Sequence, residues 1–211
     1  MEYIPKLTDK EIEENHGRFA ERAALYGKKG LDFAKSRKFI LEKASPLSGS
    51  ILEIGTGRGH TALSLAKAGY KIISIDKDKE SLKLAALNLA YEKVLSNVKF
   101  YVMDGGSLNF ANGSFENIVA VNLFHHIEKI DRVLSEIDRV LRGNGKAVLA
   151  DFNKKGMSII DIVHRQEGNT HENHGAGRDS VGSYFHGLGY EIQNYAEECN
   201  WILIAKKRIG Q

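Results

Sequence analysis

The sequence predicts an α/β fold: a doubly wound, mostly parallel sheet of seven strands, with helices on both faces and a C-terminal antiparallel hairpin. Two observations predict the parallel part. Short apolar runs alternate with amphipathic helical patterns between residues 51 and 152, and a glycine-rich turn joins the first run to its helix. A third observation predicts the hairpin, because two strand-like segments end the chain with no helix between them.

The stretch Ser50–Gly59, S-I-L-E-I-G-T-G-R-G, organises the chain. Its apolar residues indicate a buried strand, and three glycines follow at alternate positions, 55, 57 and 59. A helical pattern begins at Ala62 and ends at Gly69. Glycine suits such a turn because a Cβ atom would obstruct both the turn and the close approach of a ligand. Strand, glycine turn and helix together are typical of a nucleotide-type binding fold.

The glycine spacing departs from the dinucleotide fingerprint G-x-G-x-x-G, since the third position falls on His60. Glu53 lies two residues before the first glycine, where a carboxylate suits a ligand that carries an ammonium and a sulfonium better than a pyrophosphate. Asp76 ends the next predicted strand, 21 residues after Gly55, which fits an acid that accepts from ribose hydroxyls.

The other elements are predicted from periodicity and capping residues. Thr8 or Asp9 is expected to cap a loose helix within residues 1–17, and Asp32 to cap a helix over 33–43. Further helices are predicted over 18–27, 78–93, 130–141, 157–166 and 180–188, and further strands over 71–76, 98–103, 116–123, 146–152, 191–196 and 201–206.

Five motifs stand in a fixed order: E-I-G-T-G-R-G, I-I-S-I-D, Y-V-M-D, V-A-V-N-L-F-H-H-I and L-R-G-N-G-K-A-V-L-A-D. Their order and spacing over residues 30–155 resemble the class I S-adenosylmethionine-dependent methyltransferases, and in particular the quinone-biosynthesis C-methyltransferases. The resemblance implies one domain over 1–211. It comprises an N-terminal helical cap (1–45), a cofactor-binding core (46–152), a substrate-side insertion (153–179), and a helix and hairpin that complete the sheet (180–211).

The resemblance also implies how S-adenosylmethionine is held. Glu53 would bind the methionine ammonium, Asp76 the ribose hydroxyls and Asp104 the adenine amino group, while Asn122 would offer a backbone carbonyl near the methionine part. The other implied cofactor contacts are Gly55, Thr56, Gly57 and Gly59 in the loop, Lys77 beside the adenine, and Met103 and Gly105 beside Asp104. Asp76 and Asp104 are also compatible with ordinary strand-end turns.

Histidines supply the candidate acids and bases. His125 and His174 are the predicted catalytic residues, since a base is needed where the methyl acceptor carries a proton. The predicted substrate or lid contacts are Phe19, Tyr26, His126 and His171. No metal is predicted. His164, His171 and His174 form a weak alternative as a divalent metal site, in a polar loop that is too long for a plain connector.

Composition narrows the function further. The 211 residues suit one domain, and 30 Lys and Arg against 27 Asp and Glu give a net charge of +3, with the basic residues dispersed, which argues against nucleic acid. The absence of N-P-P-Y after the fourth strand argues against methylation of nucleic acid nitrogens. Cys199 is a lone cysteine, and no apolar leader or 18-residue apolar run is present, so we expect a cytoplasmic protein.

We therefore expect methyl transfer from S-adenosylmethionine to a small-molecule acceptor. The alternatives are a non-catalytic binding or regulatory protein on the same fold and a dinucleotide-dependent oxidoreductase. The identity of the acceptor and the oligomeric state stay open.

Overall fold

A computed structural model describes residues 2–168 and 177–208, which form one eight-stranded sheet flanked by helices. The strands are β1 (Glu2–Tyr3), β2 (Ile51–Ile54), β3 (Ile72–Asp76), β4 (Val98–Val102), β5 (Phe115–Val121), β6 (Leu141–Phe152), β7 (Glu191–Ala196) and β8 (Asn200–Lys206). The α-helices are α1 (Asp9–Gly27), α2 (Phe33–Ala44), α3 (His60–Lys67), α4 (Lys79–Tyr91), α5 (Ile130–Val140), α6 (Lys154–Gln166) and α7 (Arg178–Gly187).

The strands lie in the order β1-β4-β3-β2-β5-β6-β8-β7. The five central strands, β4, β3, β2, β5 and β6, are parallel to one another. At one edge β1 runs antiparallel to β4, and at the other β8 runs antiparallel to β6 and β7 to β8. From β2 the chain builds the sheet in one direction through β3 and β4, and it then returns to place β5 on the other side of β2. The order therefore reverses between β2 and β5, where open α/β sheets bind their ligands.

Two predicted features need correction. The sheet has eight strands and not seven, because Glu2 and Tyr3 pair with Tyr101 and Phe100 at the edge of the sheet, a contact too short to leave a periodic signal. The two N-terminal helices predicted within 1–27 are one helix of 19 residues. Its start is fixed by a capping box between Thr8 and Glu11, which satisfies backbone donors at both residues.

Buried apolar side chains cover both faces of the sheet. Leu52 and Ile54 of β2 face α5 and α7, while Ile51 faces α2, α3 and α4. Side chains alternate along a strand, so Glu53 points to the same face as Ile51. The sequence thus places an acid beneath α2 and α3, where an apolar residue would ordinarily lie.

Helix α1 packs against α4 and α6 beside the carboxyl ends of the strands. Asn15 Nδ2 donates to Asn88 Oδ1 at 2.7 Å, and Lys83 pairs with Glu11 at 2.7 Å. On the other side, Arg22 pairs with Glu167 just after α6. These contacts place α1 beside the glycine loop. Along the described residues, every helix is too short or too polar to span a bilayer.

Candidate functional site

The glycine loop joins β2 to α3 through left-handed backbone, with φ values of +84° at Gly55 and +51° at Gly57. A Cβ atom at Gly55 would lie 2.8 Å from Leu123 Cδ1, whereas one at Gly57 would meet no atom within 4 Å. The amides of Gly55 and Thr56 donate to the carbonyl of Ile75 at 2.9 and 3.1 Å, which fixes the loop to β3. Gly57 therefore keeps open space in front of a rigid turn.

Asp76 connects the tip of β3 to this loop. Its Oδ2 accepts from the amide of Gly57 at 2.8 Å, and its Oδ1 accepts from the amide of Asp78 at 3.0 Å. Lys77 is exposed beside it. The predicted acid thus lies next to the predicted loop, in a carboxylate orientation fixed by two backbone donors.

The third group of predicted cofactor residues lies at the end of β4. The amide of Met103 donates to the carbonyl of Asp76 at 2.9 Å, so the ends of β3 and β4 are adjacent. Asp104 is exposed and accepts from the amide of Gly106 at 2.8 Å, as a turn acid does. A Cβ atom at Gly105 would lie 2.8 Å from Ile54 Cγ2, so this turn packs directly against β2.

A cavity of about 190 Å³ lies at the point where the strand order reverses, enclosed by the glycine loop, α1, α2 and α6. Predicted cofactor residues on its wall are Gly55, Thr56, Gly57 and Asn122, and predicted substrate, catalytic or lid residues on its wall are Phe19, Tyr26, His125 and His126. His164, from the metal alternative, also lies on this wall. The other residues that line the cavity were not predicted as site residues: Arg22, Ala23, Phe33, Arg37, Arg58, His60, Thr61, Val121, Phe152 and Ile160. Glu53, Gly59, Asp76, Lys77, Met103, Asp104 and Gly105 do not line this cavity but surround the neighbouring strand ends.

Glu53 lies at the base of the site and is 1% exposed. Its Oε2 accepts from the Ser74 hydroxyl, which also contacts Thr56 Oγ1 at 2.6 Å, while its Oε1 makes no hydrogen bond. Burial raises the pKa of Glu53 to about 8, against the opposing effects of the Ser74 hydroxyl and of the Ala62 backbone amide, which faces the carboxyl group without hydrogen-bond geometry to Oε1. A buried carboxyl oxygen without a donor is costly, and a cationic ligand would remove that cost.

Arg37 of α2 is the opposite charge at this site and is 4% exposed. Its Nε donates to Thr61 Oγ1 at 3.3 Å, and it lies 5.3 Å from the ring centre of Phe33. With the amide of Asn122 turned so that its oxygen faces α2, that oxygen accepts from Nη2 at 2.8 Å. Within residues 2–168 and 177–208, no carboxylate lies within 4.0 Å of the guanidinium, and burial lowers the pKa of Arg37 to about 10. This buried cation is suited to an anionic ligand.

His125 is held on the cavity wall by Asp151, the residue before the last one of β6. His125 Nδ1 lies 2.6 Å from Asp151 Oδ1, and the backbone amide of His125 donates to Oδ2 at 2.9 Å. The amide of Phe152 also donates to Oδ1 at 2.7 Å. His125 and Asp151 are 3% and 1% exposed, so the pair is shielded from water. A carboxylate at Nδ1 favours the tautomer that carries its hydrogen on that nitrogen.

His60, the first residue of α3, lies between two rings. Its ring centre is 4.6 Å from that of Phe19 and 4.5 Å from that of Phe33. Burial lowers the pKa of His60 to about 3, and the charges of Arg37, Arg58 and Arg22 add to the effect. The neutral imidazole thus stacks on the ring of Phe19 and packs α1 against the end of the glycine loop.

The remaining histidine predictions stay untested. His171 and His174 lie outside the described residues, so the catalytic role of His174 and the metal alternative stay predictions. Among the residues that are described, no three His, Cys, Asp or Glu side chains are grouped as metal ligands.

The chain is similar in sequence to proteins named as methyltransferases. Residues 52–149 match the family described as "Methyltransferase domain". An uncharacterized methyltransferase of Bacillus subtilis, YcgJ, is 35% identical over 53% of this chain and 44% of its own length. A ubiquinone/menaquinone biosynthesis C-methyltransferase, UbiE, of Geotalea uraniireducens is 25% identical over 64% of this chain and 59% of its own length.

Solved structures agree on the fold. The crystal structure of YcgJ superposes with a TM-score of 0.65 at 18% identity, over 83% of this chain and all of YcgJ. A SAM-dependent methyltransferase of Methanosarcina mazei gives 0.65 at 20% identity, over 81% of this chain and 97% of its own.

Residues 52–149 therefore match a methyltransferase domain, and the chain has the fold of solved S-adenosylmethionine-dependent methyltransferases, so the predicted resemblance and the predicted fold class are both confirmed. In sequence, the chain spans about half the length of the curated relatives it matches.

Proposed function

We propose that this protein transfers a methyl group from S-adenosylmethionine to a small-molecule acceptor. The observation that carries the proposal is the pair of buried ionisable groups beside the glycine loop, one carboxyl and one guanidinium. Glu53 and Arg37 are close enough to affect each other's pKa but do not form an ion pair with each other. One site thus offers an unpaired carboxyl oxygen and an unpaired guanidinium, and an amino acid carries the two complementary charges.

The methionine end of the cofactor fits this pair. Glu53 Oε1 would accept from its ammonium, and Arg37 would bind its carboxylate, with Asn122 beside the guanidinium. The open space at Gly57 and the acid Asp76 behind it suit the ribose, and the turn at Met103 to Gly105 suits the adenine. This proposal keeps the cofactor contacts predicted from the sequence and adds Arg37 to them.

The cofactor supplies an activated methyl group on a sulfonium sulfur. The protein then has to orient the acceptor and exclude water from the reacting atoms. Phe19, Phe33 and Phe152 give the cavity apolar walls, and α1 covers its outer side. These residues favour a bound acceptor that is planar and partly apolar.

We assign His125 as the base for an acceptor whose nucleophilic atom carries a proton. Asp151 holds the imidazole with its Nδ1–H bonded, so the lone pair lies on Nε2, and His125 lines the cavity. The carboxylate also stabilises the imidazolium that forms when Nε2 takes the proton. Asp151 acts through His125 and is a positioning residue.

Calorimetry with S-adenosylhomocysteine tests the proposal, since this product of methyl transfer keeps the amino acid, ribose and adenine of the cofactor and binds without turnover. We expect binding by the wild type and loss of binding in Gly57→Val, whose side chain would enter the open space in front of the loop. Gly69→Val is the matched control, because Gly69 also has a left-handed φ, of +86°, and open surroundings, but it follows α3 far from the loop. If the wild type binds neither S-adenosylmethionine nor its product, the proposal is wrong.

A further inference from the structure

The cavity wall is rich in cations. Three arginines line it, Arg22, Arg37 and Arg58, while none of its described lining residues is Asp or Glu. Arg22 is neutralised in part by its ion pair with Glu167 at the mouth, and it also donates to Tyr26 Oη at 3.1 Å. Three guanidiniums therefore face one carboxylate around a small space.

Arg58 is the guanidinium without a partner once Arg37 is assigned to the methionine carboxylate. Its backbone carbonyl accepts from Asn88 Nδ2 at 2.9 Å, which fixes the loop, but among described residues its side chain forms no ion pair or hydrogen bond. Partial burial and the neighbouring charge of Arg22 lower its pKa. Glu167 is the carboxylate that acts on both Arg22 and Arg58, and its one negative charge leaves a net positive charge beside the cavity that an anionic ligand would offset.

The surfaces next to Arg58 are aromatic. Phe19 and Phe33 stack on the two sides of His60, and Tyr26 packs edge-on against Phe33 at 5.1 Å between ring centres. An acceptor reaching from Arg58 towards His125 would pass along these rings. Its anionic group would then lie at the cationic end, and its body would contact apolar surface.

We propose that the methyl acceptor is a small aromatic anion, with a carboxylate or phosphate group bound at Arg58 beside Arg22 and its ring among Phe19, Phe33 and Tyr26. This inference rests on the proposed methyl transfer and adds the chemical class of the acceptor to it. The anion also complements the positive sulfonium of the cofactor across the cavity.

Thermal unfolding of the protein saturated with S-adenosylhomocysteine tests this class of ligand. The probes are benzoate and phenyl phosphate, with benzamide and benzyl alcohol as their uncharged counterparts. We expect both or one of the anions to raise the Tm of the wild-type complex in a concentration-dependent way, and the uncharged probes to leave it unchanged. Comparison of the two anions distinguishes a carboxylate from a phosphate ligand.

The variants locate the effect. Arg58→Gln should weaken binding of the stabilising anion by about tenfold or more, since a charge-assisted hydrogen bond is lost. Arg58→Lys should retain part of the effect. Arg142→Gln is the matched control, because it removes one positive charge at the start of β6, at the opposite edge of the sheet from the cavity.

Four outcomes overturn the inference: neither anion stabilises the wild type, the uncharged probes act as strongly, Arg58→Gln responds like the wild type, or Arg58→Gln loses affinity for S-adenosylhomocysteine itself. The last result would assign Arg58 to the cofactor. If the proposed methyl transfer itself is wrong, S-adenosylhomocysteine does not bind. Anion binding that depends on Arg58 can still be measured in that case, on the protein without S-adenosylhomocysteine.

Discussion

Asp151 accepts hydrogen bonds from both the backbone amide and the ring Nδ1 of His125, at 2.9 and 2.6 Å. Asp151 lies on β6 and His125 follows β5, so the two neighbouring strands together fix one imidazole on the cavity wall. Because both residues are buried, their geometry is insulated from solvent and from motion of the surface loops.

The first prediction concerns this pair. Replacing His125 by Gln should lower kcat for an acceptor that must lose a proton by about 10² to 10⁴-fold, the range that a positioned base contributes. Asp151→Asn should lower kcat to a similar degree, because the imidazole loses the carboxylate that orients its ring. Steady-state kinetics with a confirmed acceptor measures both effects.

The double variant provides the control. If the two residues act as one unit, His125→Gln with Asp151→Asn should be hardly slower than either single variant. Affinity for S-adenosylhomocysteine should stay near the wild-type value in all three, since neither residue is assigned to the cofactor. Additive losses would show that Asp151 does not act through His125.

The second prediction concerns Arg37 and the methionine carboxylate. Arg37→Met should bind S-adenosylhomocysteine at least tenfold more weakly, since an ionic hydrogen bond is lost. It should bind 5′-methylthioadenosine as the wild type does, because this nucleoside lacks the amino acid. Without ligand, the variant should be at least as stable to heat as the wild type, because it removes a buried charge that has no counterion among the described residues. Equal weakening for both ligands would contradict the assignment.

The sequence predicted the parts of the site that lie on strand ends. Glu53, Gly55 and Asp76 are recognisable because they follow apolar runs at a fixed spacing, and the order of the strands brings those ends together. Pairing between β2 and β3 places Glu53 opposite Ser74, which accounts for the hydroxyl that holds the carboxyl group. For these residues, the local sequence pattern and the rules of parallel sheets are sufficient to predict where they lie in the fold.

The residues that were not predicted from the sequence owe their positions to packing between distant elements. Arg37 stands in a helix of ordinary charged pattern, and only the docking of α2 on α3 buries its guanidinium beside Thr61. Asp151 closes the quoted motif A-V-L-A-D and so carried a signal as a strand-end acid, but its partner lies 26 residues away. His60 was considered only as the position that lacks the third glycine. Its ring stack requires α1 and α2 to meet at the loop, which one sequence does not reveal.

The third prediction uses the raised pKa of Glu53, about 8 in the folded protein against an ordinary value of 4.5. The folded state keeps a proton that the unfolded state has already lost, so this group's contribution to stability is full below pH 4.5 and disappears as the pH rises through 8. Glu53→Gln should remove that decline between pH 4.5 and 8. Urea unfolding at several pH values measures the difference, with Glu116→Gln as a control at the far end of β5.

Glu53 should also couple cofactor binding to proton release. An ammonium bound at Oε1 favours the ionised carboxylate, so the wild type should release close to one proton on binding S-adenosylhomocysteine at pH 6 to 7, and fewer as the pH passes about 8. Calorimetry in buffers of different ionisation enthalpy counts these protons. Glu53→Gln should release none from this site. An identical count in both proteins would exclude contact between Glu53 and the ammonium.

The last prediction concerns acid stability and His60. Its pKa falls from 6.5 to about 3 on folding, because the imidazole is buried between Phe19 and Phe33 and faces Arg37 and Arg58. As the pH falls below 6.5, the unfolded chain takes up a proton that the folded protein does not bind, so the free energy of unfolding decreases with a slope of up to about 1.4 kcal/mol per pH unit.

His60→Phe keeps a ring in the stack and should flatten the fall of Tm between pH 6.5 and 3. His16→Phe is the control, since His16 also stacks on an aromatic ring, that of Tyr91, at 3.4 Å between ring centres. If the Tm of the wild type and of His60→Phe falls equally with pH, His60 takes up its proton in the folded protein as readily as in the unfolded chain. The ring stack would then not contain a neutral imidazole.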